Sequence, residues 1–175
     1  MELEGKRVAV LAERDFEDLE LWYPLLRLKE AGAEVVVVGM GESTYKGKHG
    51  VEVKVDATPR EVSAVSLDGV VVPGGWAPDR LRRDPTVLSL VRDVFNRGKL
   101  VASICHGPSV LISARILQGR KVTGVIAVKD DIEFAGGTYI DAEVVVDGNL
   151  VTSRTPRDLP AFGREIVKAL AAQGK

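Results

Sequence analysis

The sequence predicts a single three-layer α/β domain spanning residues 1–175, a mostly parallel sheet with helices on both faces. Three observations predict it. Short, continuous apolar runs rich in valine read as strands buried on both faces. Amphipathic stretches of helix length separate those runs, and a glycine closes several of the stretches, as a left-handed helix end requires. Strand and helix alternating in this way fold into right-handed βαβ units.

The first strand is predicted in KRVAVLA, Lys6 to Ala12, and the second in EVVVVG, Glu34 to Gly39. Between them, Asp18 to Ala33 carries Leu19, Trp22, Leu25, Leu26 and Leu28 at helical spacing, with Gly32 as the stop and Pro24 marking a kink or late start. Gly41 to Val55 reads as a loop with short strands, an edge hairpin. A second βαβ unit follows: a strand in Asp68 to Gly75 that runs into a glycine turn, a helix over Thr86 to Gly98, and a strand in Lys99 to Ile104. The next helix should run from about Pro108 to Leu117, since proline is tolerated in a first turn. KVTGVIAV, Lys121 to Val128, is predicted to add a strand, and Ala142 to Ser153 a hairpin turning at Asp147 and Gly148. Asp158 to Gln173 closes the chain as a helix with Asp158 as its N-cap.

Hydrophobic residues make up 45% and charged residues 28% of the chain, the composition of a soluble globular domain, and the formal net charge of −1 gives no basic excess for nucleic acid or anionic lipid. A small polar or neutral substrate fits better. The single cysteine excludes an intramolecular disulfide and belongs to no Cys/His cluster, so neither a structural bridge nor a metal site is expected, and a reducing cytoplasm is the expected location. The apolar run from Val8 to Ala12 is too short for a signal segment or a membrane span. No GxGxxG or Walker sequence is present, so no nucleotide cofactor is expected.

Sites in open α/β sheets lie beyond the carboxyl ends of the strands. Three such ends should converge here: AERDFEDLE after the first strand, PGGWAPDR after the strand from Asp68, and CHGPS after Ile104. A lone cysteine is commonly a small buried hydrophobe, but Cys105 sits at a strand-to-helix elbow, where nucleophiles are presented, and helix amides there favour thiolate over thiol. His106, with an ordinary pKa near 6.5, is a candidate acid or base, although consecutive side chains share a cleft only if the elbow turns both inward. His49 reads as a surface loop residue. Among Glu13, Asp15, Glu17, Asp18 and Glu20, Glu17 could reach the thiol and, kept protonated by burial, donate to the sulfur; the residues alone leave the choice open. Gly74 and Gly75 permit a backbone amide to approach a substrate carbonyl, and the amide of His106 would be the second donor of an oxyanion hole.

The FED, PGG and ASICHGP motifs, in this order and spacing, resemble the PfpI group of the ThiJ/PfpI superfamily, and the resemblance extends over nearly the whole chain through VKDDIEFAGGTYIDAEVVVDGNLVTSR and DLPAFGREIVKAL. It implies a flavodoxin-like three-layer α/β/α sandwich with Cys105 as nucleophile, Glu17 beside the sulfur, and Gly75 with the His106 amide as oxyanion hole. It also implies that His106 is oriented by an acidic residue of a neighbouring subunit, at the position of Asp79, in a homo-oligomer, dimer or hexamer, whose site lies near the interface. Gly74, Trp76 and Val125 fall where the substrate pocket is expected. The chain departs from the family pattern at Trp76, where arginine is commoner, at Asp79, one methylene shorter than the usual glutamate, and at Val125, where a tyrosine is usual.

Two activities belong to this resemblance: hydrolysis of peptides through a thioester, and conversion of methylglyoxal or its early adducts on proteins to lactate. The missing tyrosine favours small aldehydes and glycated adducts. A different class, a non-enzymatic stress protein that acts as a redox sensor or chaperone-like oligomer, would use the thiol without needing the histidine.

Overall fold

The computed structural model describes residues 1–174. Its elements run in the order β1 (Arg7–Ala12), α1 (Asp18–Glu30), β2 (Glu34–Gly39), β3 (Thr44–Lys46), β4 (Glu52–Lys54), β5 (Gly69–Val72), α2 (Ala77–Leu81), α3 (Pro85–Asn96), β6 (Leu100–Ile104), α4 (Pro108–Ser113), β7 (Lys121–Val122), α5 (Lys129–Phe134), β8 (Thr138–Tyr139), β9 (Val144–Asp147), β10 (Leu150–Ser153) and α6 (Leu159–Ala172). The main sheet has the order β2-β1-β5-β6-β10-β9. Every neighbouring pair in it is parallel except β10 with β9, the hairpin that turns at Gly148 with φ 59°.

Valine supplies much of the core because its branched side chain packs well on a pleated surface. Val8 and Val10 of β1, Val36 to Val38 of β2 and Val70 to Val72 of β5 are all buried. Helices α1 and α6 pack against each other over one face of the sheet, and α3 lies against β5 and β6 together with α4 on the other. Asp84 caps α3, accepting from the amides of Thr86 and Val87, and Val87, Leu90, Val91 and Val94 form its buried stripe. The chain leaves β1 for β2 on one side and resumes at β5 on the other. That switch point opens a crevice at the carboxyl ends of β1, β5 and β6.

Three expectations are corrected. Of the segment Lys121 to Val128, only Lys121–Val122 is a strand, and it pairs with β8 outside the main sheet; the rest bends under the elbow, with the Val125 amide donating to the Cys105 carbonyl at 3.0 Å. Helix α4 stops at Ser113 rather than Leu117, where Arg115 turns left-handed at φ 59°. Asp158 occupies the N-cap position of α6, but its carboxylate accepts from Arg154 at 2.9 Å instead of capping. The Gly41 to Val55 stretch does form a hairpin, β3 with β4, separate from the main sheet.

Candidate active site

The three strand ends meet through backbone. The Glu17 amide donates to the Gly74 carbonyl at 3.1 Å, and the Trp76 amide to the Asp15 carbonyl at 2.8 Å. Gly75 turns left-handed at φ 78°, and a Cβ there would fall 2.4 Å from the Glu17 amide nitrogen, so only glycine fits between the two loops. A Cβ on Gly74 would stand 2.4 Å from Glu20 Oε2 and 2.7 Å from Cys105 Cβ, which places carboxyl, thiol and glycine turn in direct contact.

Cys105 is one of three non-glycine residues with positive φ among the described residues, at 62°. That conformation is strained for an L side chain and persists where surrounding bonds over-determine it. Here the Cys105 amide donates to the Ser153 carbonyl at 3.1 Å and its carbonyl accepts from Val125. Gly107 then closes the elbow, its α-carbon packed so tightly that a Cβ would meet Ser103 Oγ at 2.6 Å and the Val72 carbonyl at 2.7 Å. The turn does bring both consecutive side chains to one cleft, with His106 Nδ1 3.5 Å from Cys105 Sγ.

The carboxyl beside the sulfur is that of Glu20, not Glu17. Glu20 lies one turn further into α1, fully buried, and its Oε2 accepts from the Gly74 amide at 2.9 Å. Glu17 instead faces the hairpin turn, between Lys48 Nζ at 3.2 Å and His49 Nε2 at 3.4 Å. Burial pushes the Glu20 carboxyl up to about 8, against the Gly74 hydrogen bond that favours the charged form. Oε1 of Glu20 has no hydrogen-bond partner among the described residues, which leaves one oxygen of the buried carboxyl free to carry a proton.

The expected depression of the thiol pKa by the helix N-terminus is reversed. Burial, followed by the charge of an ionised Glu20, pushes the Cys105 thiol up to about 12, and the amides of His106 and Gly75 oppose this only in part. Helix α4 is six residues long and begins with proline, so it offers little field. A thiolate therefore forms readily only opposite a protonated Glu20, whose hydroxyl then becomes a donor to it. The amides of Gly75 and His106, which face the sulfur, are the pair expected as an oxyanion hole.

Burial lowers the His106 pKa; the charge of Asp79 raises it and that of Lys48 lowers it further. The imidazole is thus neutral near pH 7 and able to accept a proton. Asp79, on α2, acts on His106 through charge and makes no hydrogen bond to it among the described residues. The indole of Trp76 packs against the imidazole in a tilted arrangement, with ring centroids 5.9 Å apart and planes 37° to one another.

The three residues expected to share a substrate pocket do not border one cavity. Trp76 borders a surface hollow with Asp79 and Arg80, Val125 borders a separate cavity of about 640 Å³ with Tyr139 and Arg154, and Gly74 is packed against Glu20. Glu20 was only one of five acidic candidates, and Lys48, at the mouth, was not anticipated. Glu20 stands at helical spacing with Pro24 and Leu28 on the buried side of α1, and a carboxylate in an apolar stripe is the signal that singles it out. Lys48 carried no such signal, because only the folded hairpin brings it to Glu17. Glu17, Asp18 and His49 place ligand-type atoms within 4.8 Å of one another. Both Asp18 oxygens are nonetheless taken by the amides of His49 and Val51, and Glu17 faces an ammonium, an arrangement unsuited to a cation.

A family profile described as DJ-1/PfpI matches residues 6–169. The chain belongs to the DJ-1/PfpI family. It is 51% identical over 164 residues to Deglycase PH1704 of Pyrococcus horikoshii, covering 94% of this chain and 99% of that one. It is 45% identical over 171 residues to Protein/nucleic acid deglycase 2 of Escherichia coli, covering 96% and 99%. Among solved structures it superposes with a TM-score of 0.92, at 48% identity, on a two-domain protein from Anabaena variabilis with DJ-1/ThiJ/PfpI-like and ferritin-like domains. That match covers 94% of this chain and 48% of the other, so the chain spans about half the length of the two-domain protein. The flavodoxin-like fold expected from the motifs is the fold of this family. No helix among the described residues is long and apolar enough to cross a membrane.

Proposed function

We propose that this DJ-1/PfpI protein is a cysteine-dependent deglycase, acting on methylglyoxal and on early glycation adducts of amines. The observation that carries the proposal is the joint placement of Cys105, the neutral imidazole of His106, the protonated Glu20 and two backbone amides around one sulfur. The relatives named as deglycases, at 45% to 51% identity over nearly their full lengths, support it.

His106 takes the thiol proton, and the thiolate, held by the Glu20 hydroxyl, attacks the aldehyde carbon of methylglyoxal. The carbonyl oxygen develops negative charge against the amides of Gly75 and His106 and is protonated to give a hemithioacetal. In an amine adduct the same attack expels the amine. The hydrogen on the former aldehyde carbon then leaves as a proton, and a proton returns to the neighbouring carbon, so that one carbon is oxidised and the other reduced with no external electron acceptor. The product is a lactoyl thioester. Water cleaves it to lactate and regenerates the thiol.

Purified protein and Cys105→Ala, assayed side by side on methylglyoxal, a glycated amine and fluorogenic peptides, test the proposal. Turnover of the first two by the parent protein alone is expected; equal rates for both proteins on all three would remove the thiol from the reaction. His106→Ala is expected to abolish turnover yet still be alkylated at Cys105. Unchanged turnover in that variant would remove His106 from the proton transfer, and absence of turnover by the parent protein would favour a redox-sensing role for the thiol.

A further inference from the structure

We propose that Lys48 is a specificity-determining cation of this site, favouring electrophiles that carry a carboxylate next to the reacting carbon, and that Glu17 is the positioning residue holding its ammonium at the mouth of the cleft. The proposal rests on Cys105 being the nucleophile. Lys48 sits in the turn between β3 and β4, and that turn is fixed by its backbone. The Lys48 amide donates to the Phe16 carbonyl at 2.9 Å, and the amides of His49 and Val51 donate to the two oxygens of buried Asp18 at 2.8 and 2.9 Å. Phe16 in turn bridges to Gly75, and the Glu17 amide is bonded to the Gly74 carbonyl. The ammonium is therefore tied to the same glycine turn whose Gly75 amide faces the sulfur.

Of the three ammonium N–H groups, one is directed to Glu17 Oε2 at 3.2 Å, and the other two have no acceptor among the described residues. The Glu17 carboxylate is shared, its Oε1 facing His49 Nε2 at 3.4 Å. The Lys48 side chain is 33% exposed, open enough to meet a ligand. Its positive charge lowers the pKa of both Glu20 and His106, so it lies within electrostatic reach of both. Nearby Arg80 is engaged with Asp15 at 3.1 Å and with the Arg14 carbonyl. The opposing negative charges at the mouth are Glu17 and Asp79, and a ligand carboxylate has to share Lys48 with the first of them. The selectivity is accordingly moderate and sensitive to salt.

The test compares alkylation of Cys105 by iodoacetate and by iodoacetamide, which differ mainly in charge. In both, the sulfur forms a bond to the methylene carbon as the carbon–iodine bond breaks and iodide leaves. The ratio of the two second-order rates cancels changes in thiol ionisation and so isolates recognition of the carboxylate. Lys48→Met is expected to lower the iodoacetate/iodoacetamide ratio about three- to tenfold, as loss of one partly screened charge near the reagent predicts. Lys48→Arg should keep the ratio, and Glu17→Gln, which frees the ammonium, should raise it. A ratio unmoved by both Lys48→Met and Glu17→Gln would overturn the role of Lys48 while leaving the nucleophile in place. Failure of both reagents to modify Cys105 would overturn both claims.

Discussion

At the scale of single residues the site turns on one shared proton. Glu20 and Cys105 are both raised by burial, and each resists ionising while the other is charged, so the pair gives up its first proton near pH 8 and its second only towards pH 12. Glu20→Gln leaves a single titrating group relieved of its negative neighbour. The pH profile of iodoacetamide alkylation should then collapse from two steps to one lying below 12; profiles that superimpose would show that Glu20 does not govern the thiol. The sequence brought the reader to five acidic residues and no further. The motif directed attention to Glu17, but the helical period sets Glu17 and Glu20 almost a full turn apart, and only the buried stripe through Pro24 and Leu28 tells which of them faces inward. Cys105 and His106, by contrast, were legible because the elbow is written locally, in three strand residues followed by glycine and proline.

At the scale of elements, the candidate site is assembled by loops held to one another rather than by helices. Asp18 is the main fastener of the hairpin turn, its carboxylate accepting from His49 and Val51 while Gly47 packs so closely that a Cβ would sit 2.5 Å from the Asp18 carboxyl carbon. Asp18→Ala should strand those two amides and cost about 2 to 4 kcal/mol of stability, seen as a lower midpoint in urea unfolding. Lys48→Met, which touches none of these bonds, should leave that midpoint nearly unchanged. Continuous valine runs and glycine stops made β1, β2, β5, β6 and the intervening helices readable. Lys121 to Val128 looked equally strand-like, and most of it was diverted because the elbow needs a partner for the Cys105 carbonyl. That requirement comes from tertiary contact and leaves no local pattern.

At the scale of the whole molecule, a buried carboxyl with a raised pKa sets a pH dependence of stability. The folded Glu20 holds its proton up to about pH 8 whereas the ordinary value is 4.5, so between these limits the native state binds the extra proton and stability falls as pH rises. The penalty reaches a few kcal/mol at the upper limit. Glu20→Gln should remove this slope, melting higher than the parent protein at pH 8 and nearly alike at pH 4.5, even as its thiol chemistry changes. A parent protein with no such slope would contradict the buried, protonated carboxyl. Asp79→Asn, which removes the charge that raises the His106 pKa, should lower turnover several-fold and shift its pH profile. The most direct measurement of the central claim is mass spectrometry of the acid-quenched protein during turnover of methylglyoxal. A lactoyl thioester on the peptide containing Cys105 is expected, disappearing when substrate is exhausted; continued lactate formation with Cys105 unmodified, or in Cys105→Ala, would contradict it.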